Sequence, residues 1–231
     1  MTPKPTKKSE ATKALILSTA LGLFQEHGFE KTTMRKIAEA CDLSLGAAYY
    51  HFKTKEELVL CFYAETGAEA QAHNATIVAA SKEYKTRMKA LLLFKLDQMM
   101  PFRELVTVLA QQAADWRAPL SPFSPQSKPM RNEAVGLIEE VLEGSNVKVA
   151  KQLRPHLAKM LWLYQMGIIL FWVNDRSPQQ RHTEELITLS LALLYRLFQA
   201  STLPFLSGVN QSAARIVALV EGIAETGQEE T

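Results

Sequence analysis

Cysteine is almost missing from this chain: Cys41 and Cys61 are its only two, they form no CxxC pair, and both fall inside helical patterns. Two unpatterned thiols argue against a disulfide scaffold or a cysteine zinc site and fit a reducing compartment. The five histidines, His27, His51, His73, His156 and His182, lack metal-ligand spacing, so no metal and no cofactor is expected. A glycine-rich phosphate loop, HExxH and GxSxG are all absent, which leaves an enzyme without its usual machinery and no catalytic residue to assign. No segment alternates apolar and polar residues with a period of two between turn residues, so strands are not expected and the class reads as all-α. The longest apolar run, residues 160–173, is broken only by Gln165 and Gly167. Lys159 and Asn174-Asp175-Arg176 bracket it, and it falls short of the about 20 residues a membrane span needs. It therefore predicts a helix buried on all sides, with no membrane partner. The opening Met-Thr-Pro-Lys-Pro-Thr-Lys-Lys carries no apolar region behind its charges, so no secretory leader is read and a cytoplasmic location is expected.

What is present begins with a small charge asymmetry. The formal net charge is only +2, but residues 1–60 carry nine Lys and Arg against seven acids, while the rest balances. Lys4, Lys7 and Lys8 sit in a Pro-containing basic arm over residues 1–9, which suits either a phosphate backbone or minor groove, or a solubilising tail. Behind it, a helix from Ser9 or Glu10 places Ile16, Ala20, Leu23 and Phe24 on one stripe and ends at His27-Gly28-Phe29 with a glycine C-cap.

The densest information lies between Lys31 and Leu58. Thr32 or Thr33 N-caps a short helix with Met34, Ile37, Ala38 and Cys41 inward. Asp42 stands where the chain turns, a residue that tolerates the left-handed conformation better than most. Ser44 caps the next helix, with Ala48 and Phe52 inward and Leu45, Gly46, Ala47, Tyr49, Tyr50 and His51 facing outward or sideways. Thr54 and Glu57 form a capping box that opens a further helix through Leu58, Val59 and Phe62. Two short helices around a tight turn are the grammar of a helix-turn-helix, whose second helix enters a DNA major groove.

The order Phe24, Gly28, Thr33, Arg35, Ile37-Ala38, Leu43-Ser44, Gly46, Tyr49, His51-Phe52-Lys53 and Lys55-Glu56-Glu57-Leu58 resembles the N-terminal DNA-binding domain of the TetR family of regulators over roughly residues 10–63. The departures are Asp42 where Gly is usual, Leu45 where a polar or basic residue is frequent, and Ala47 where Thr is frequent. The resemblance implies that Leu45, Gly46, Ala47 and Tyr49 face base edges, while Thr33, Tyr50, His51 and Lys55 hold phosphates. Arg35 is the candidate for a bidentate guanine contact, with a helix-surface salt bridge as the alternative; Tyr49 has the alternative of packing half in the core. Few hydrogen-bond donors at the tip of the reading helix point to thymine methyl groups and DNA shape as carriers of specificity.

Beyond residue 63 the pattern reads as helix throughout, giving a larger regulatory and dimerisation domain over 64–231. Helices are expected over 54–79, 81–99, 101–115, 131–143, 149–174, 177–200 and 210–225, with residues from Gly227 frayed. Residues 117–130 hold four prolines and three serines, a loop that reads as a flap over a cavity. The apolar residues near 157–173 and 178–200 cover more than one stripe, and the resemblance implies that the surplus pairs two copies across a two-fold axis on a palindromic operator. It also implies an effector cavity. Met88, Leu92, Met99, Met100, Phe102, Leu109, Gln112, Trp116, Trp162, Gln165, Met166 and Phe171 are its candidate lining, with Trp116 and Gln165 preferred. The apolar runs contain no charge cluster, which favours a neutral or hydrophobic effector. The expected function is a ligand-released repressor; the alternative is a dimeric architectural DNA-binding protein with no inducer.

Overall fold

The computed structural model describes residues 7–115 and 117–226, with the side chains of Gln112 and residues 220–226 outside that description. The described residues form helices and connecting turns, with no strand among them. In chain order they are α1 (Lys7–His27), α2 (Met34–Ala40), α3 (Leu45–His51), α4 (Lys55–Ala80), α5 (Tyr84–Met99), α6 (Arg103–Gln112), α7 (Lys128–Leu142), α8 (Leu157–Asn174), α9 (Arg181–Ser201) and α10 (Ser207–Thr226). The basic arm is shorter than expected: Lys7 and Lys8 already ride on α1, while Lys4 and the residues from Gly227 lie outside the description.

Two hydrophobic clusters organise the chain. The first joins Ile16, Leu17, Ala20, Phe24, Ile37, Ala38, Ala48 and Phe52 to Leu58, Val59 and Phe62 at the start of α4. Burying each of its larger side chains contributes about 1.5–3 kcal/mol. The second cluster takes Ala70 and Ile77 from the far half of the same α4 and packs them with Leu91, Leu92, Leu137, Ile138, Leu161, Trp172, Ile187 and Leu191. The 26-residue α4 is thus a shared beam, with its N-terminal half in the head and its C-terminal half in the body. The clusters are not separate, because Leu105 and Leu109 of α6 and Leu120 of the following loop belong to the first one.

Long-range polar ties hold the body. Arg87 is buried without a carboxylate, and its guanidinium donates to the carbonyls of Val78 (2.8 Å) and Ser81 at the end of α4 and of Val141 (3.1 Å) and Glu143 (2.7 Å) at the end of α7. It thereby satisfies orphan carbonyls at two helix C-termini, where a cation is favoured. Gln71 and Asn74 of α4 both donate to Glu140 of α7, at 2.8 and 2.7 Å. Arg103 bonds the Trp172 carbonyl at 2.8 Å and the Asp175 carbonyl, fastening α6 to the end of α8.

Three helix starts shift from the sequence expectation, two of them for a common reason. Pro101, Pro155 and Pro178 each sit in a single 3-10 turn, Met100–Phe102, Arg154–His156 and Pro178–Gln180, and the α-helix begins only after it. Proline's fixed φ suits either kind of first turn, so sequence reads Pro101 and Pro178 as part of the α-helix, whereas the helix expected from residue 149 begins only at Leu157. Before α9 the break is complete, because Gln179 and Gln180 take φ of 55° and 49°. The first turn of α9 is met instead from the residues ahead of it: Ser177 Oγ accepts the His182 N–H at 3.1 Å, and Asp175 accepts the N–H groups of Ser177 and Thr183, both at 2.9 Å.

The expectation of a helix buried on all sides also needs correction. With its preceding turn, α8 spans Arg154–Asn174 and is long and apolar enough to cross a membrane. Its Leu157, Leu161, Trp162, Gln165, Ile168 and Trp172 are buried among α6, α7 and α9, as in a core helix. Gly167, Leu170 and Phe171 are exposed.

Candidate nucleic-acid interface and effector cavity

Three side chains set the entry of the short helices. Thr33 accepts the Lys36 N–H at 3.3 Å, Ser44 the Ala47 N–H at 3.1 Å, and Thr54 the Glu57 N–H at 3.2 Å. Glu57 returns a bond from the Lys53 N–H at 2.6 Å, one residue ahead of the usual reciprocal donor. Between α2 and α3 the chain closes as a Schellman turn, with the Leu43 N–H on the Ala38 carbonyl (2.9 Å) and the Asp42 N–H on the Glu39 carbonyl (3.1 Å). Asp42 occupies its left-handed position at φ 54°, where glycine is free and other residues pay about 1–2 kcal/mol.

This turn presents α3 with Ala48 and Phe52 buried and with Gly46, Tyr49 and Tyr50 exposed. Tyr50 is 75% exposed and meets His51 edge-on at 5.2 Å. Leu45, Ala47 and His51 are half-buried, and Leu45 leans on the head's core. A Cβ added at Gly46 would meet nothing within 4 Å, so the tip is open on its outer side. Arg35 is exposed with no partner among the described residues, so the salt-bridge alternative is not realised. Lys55 is turned inward: its Nζ donates to the Phe29 carbonyl at 2.7 Å and lies 4.2 Å over the Phe29 ring. That leaves it at most two N–H donors for a phosphate. Lys53, to which sequence gave no role, closes the end of α3 by donating to the Tyr49 carbonyl at 2.7 Å.

In the body, a cavity of about 440 Å³ lies among α4, α5, α6, the loop before α7, α7 and α8. Met99, Leu109, Trp162, Gln165 and Met166 line it as the sequence reading expects, and so do Leu120, Pro122, Phe123 and Ser127 of the proline- and serine-rich loop. Phe123 stands edge-on to Trp162 at 5.4 Å. Other candidates fall elsewhere. Phe102 packs against Phe62 at 4.7 Å in the head's cluster, because the turn at Pro101 carries it toward α4. Phe171 is exposed, Met88 and Leu92 are sealed in the body core, and Met100 packs against that core without reaching the cavity. Trp116 and the Gln112 side chain lie outside the described residues.

The cavity's polar groups were mostly missed by sequence. Gln165 Oε1 is buried without a hydrogen-bond partner. Lys95 and the Tyr63 hydroxyl, both on the lining, have no partner among the described residues. Burial lowers the Lys95 ammonium to about 8 and raises the Tyr63 phenol above its ordinary range. Arg131 Nη1 is engaged by the loop carbonyls of Pro122 (2.7 Å) and Ser124 (3.2 Å), and Gln98 by the Thr66 carbonyl (3.3 Å) and Glu69 (2.8 Å). A signal for Lys95 was available: Met88, Leu92, Lys95 and Met99 fall four, three and four apart, so a charge stands on an apolar stripe.

Comparison with known proteins agrees with this arrangement. The family model "Bacterial regulatory proteins, tetR family" matches residues 16–60, and "Tetracyclin repressor-like, C-terminal domain" matches residues 87–211. The uncharacterised HTH-type transcriptional regulator YerO of Bacillus subtilis (strain 168) is 48% identical over 48 residues, 21% of this chain and 17% of that protein. The probable acrEF/envCD operon repressor of Escherichia coli (strain K12) is 42% identical over 53 residues, 22% of this chain and 24% of that protein. These matches span about a quarter or less of either relative's length. The crystal structure of the TetR transcriptional regulator from Nitrosomonas europaea ATCC 19718 shares the fold, with a TM-score of 0.58 at 17% identity over 79% of this chain and 97% of that one.

Proposed function

Because the chain belongs to the TetR family of transcriptional regulators, we propose that it is a cytoplasmic repressor that binds a palindromic operator as a homodimer and lets go when a small, mainly apolar effector enters the body. One observation carries the release step: Leu109 and Leu120 line the cavity and also belong to the hydrophobic cluster of the reading head. A ligand that displaces them must disturb the packing under α1 and α4, on which the orientation of α3 depends.

Homodimerisation is supported by apolar surface without a cover. On α9, Leu189, Leu193 and Leu197 repeat at helical spacing and are 63%, 58% and 55% exposed. Val209, Ile216 and Leu219 of α10 are exposed as well. Contiguous apolar stripes of this kind mark association surfaces. The expectation that α8 shares the interface equally shifts, since α8 spends its inner stripe on the core and much of the next on the cavity; α9 and α10 offer more free surface. A two-fold pairing would set two α3 helices about 34 Å apart, one turn of duplex.

Arg35, Gly46, Ala47, Tyr49, Tyr50 and His51 form the proposed reading surface, with Thr33 and Lys55 at phosphates and Leu45 shaping the tip from its half-buried position. Operator selection from random duplexes, followed by sedimentation of the complex, tests the reading. Two protomers on an inverted repeat, with thymine preferred opposite Gly46 and Ala47, is the expected result. Anisotropy-scored release across a compound library then tests the effector step, and a protein that no compound releases would be the architectural alternative.

A further inference from the structure

The cavity has walls suited mainly to hydrocarbon, with Lys95, Arg131 and Glu133 as the charged groups on its lining. Lys95 reaches it from the apolar stripe of α5, half-buried, with no carboxylate or carbonyl partner among the described residues. A cation taken from water without a partner costs stability, and the same confinement makes it a strong partner for an incoming anion. The other charged groups on the lining do not duplicate this role. Arg131 is engaged by carbonyls of its own loop, and Glu133 of α7 is exposed to solvent. Gln165, whose buried Oε1 is an unpartnered acceptor, and the Tyr63 hydroxyl lie on the same lining. Met99, Leu109, Trp162 and Met166 supply the apolar remainder.

We propose that the effector is an organic acid, a small molecule with an apolar body and a single carboxylate that pairs with Lys95. This rests on the cavity being the effector site and replaces the expectation of a neutral ligand, which was drawn from the apolar runs and overlooked a lone charge between them. At neutral pH an ammonium lowered to about 8 by burial is still mostly protonated, so the pairing needs no proton transfer. The carboxylate removes the cost of the bare charge, so binding stabilises the body more than filling with hydrocarbon alone would.

The test uses the full chain and matched probes: decanoate, phenylbutanoate and naphthylacetate, each beside the primary amide of the same skeleton, with decyltrimethylammonium as the cation. Thermal shift and operator release are read together. The acids should bind about tenfold to a hundredfold more tightly than their amides, the difference of one charge-assisted contact in a partly enclosed site. In Lys95→Met that preference should vanish while the ligand-free Tm holds or rises, because an unpaired buried cation has been removed; Lys95→Arg should keep the preference. Amides that match their acids, a preference for the cation, or an acid preference surviving in Lys95→Met would each overturn the inference and leave the cavity reading standing. If no probe of any charge shifts Tm or releases DNA, the cavity reading falls, and this inference with it.

Discussion

The head and the body solve the same problem, ending a helix, in opposite ways. In the head, α2, α3 and α4 are each capped by a side chain next to their own first turn, Thr33, Ser44 and Thr54. In the body, α5 to α8 have no such cap bond, and the first turn of α9 is met by Ser177 and Asp175, five and eight residues before the N–H groups they accept. Other ends are met from far away in sequence: Asn146 Oδ1 accepts the Tyr84 N–H at 2.9 Å at the start of α5, Arg87 closes α4 and α7, and Arg103 closes α8. The head's short helices are set locally, while its core still borrows Leu105, Leu109 and Leu120 from α6 and the following loop. A body tied at long range can rearrange as a unit, which suits a region whose proposed task is to respond to a ligand.

The largest effect should come from cutting a long-range tie. Arg87→Met leaves carbonyls of two helices unpaired and should cost about 3 kcal/mol by urea denaturation. A loss under about 1 kcal/mol would place the body's stability elsewhere. Next, Arg35→Ala should weaken operator binding by about 2 kcal/mol and relax selectivity at one base pair, with Tm unchanged; uniform weakening across sequences would make Arg35 a phosphate contact.

An acid titration probes a local tie at the start of α9. Burial alone would raise the Asp175 carboxyl, but bonds from Ser177 and Thr183 more than offset it and hold it below the ordinary range. Its stabilisation is therefore complete above about pH 4 and lost as pH falls below that. Tm measured from pH 5 down to 3 should drop less steeply in Asp175→Asn than in the parent chain. Ser44→Ala removes a local cap and should cost about 1 kcal/mol, with a larger relative loss of DNA binding than Arg87→Met at equal stability. The smallest change is a gain: Asp42→Gly should add up to about 1 kcal/mol, since glycine takes φ 54° without strain.

The same contrast explains what could be read beforehand. Thr33, Asp42, Ser44 and Thr54 act within a few residues of themselves, so their caps and turn were legible, and the identity of α2, α3 and α4 with them. The helix starts after Pro101 and Pro178 were misplaced because a proline serves a 3-10 turn as well as an α-helix. Phe102 and Met99 are near neighbours on the chain, yet one enters the head and the other the cavity, a division set by how α6 leaves the turn at Pro101. Arg87 and Arg103 gave no local sign of their roles, since their partners lie dozens of residues away. Lys95 was visible as an anomaly on its stripe, but its importance needed a cavity beside it.

Leu105, Leu109 and Leu120 carry a practical consequence for anyone recombining such regulators. A graft made at the sequence boundary near residue 63 would give the head a new body while removing three side chains from its core. A working exchange of reading heads would have to move α6 and the loop through Leu120 with the first 63 residues, or rebuild that patch on the recipient. The separable unit of this chain is a discontinuous one, and its seam runs through the wall of the cavity.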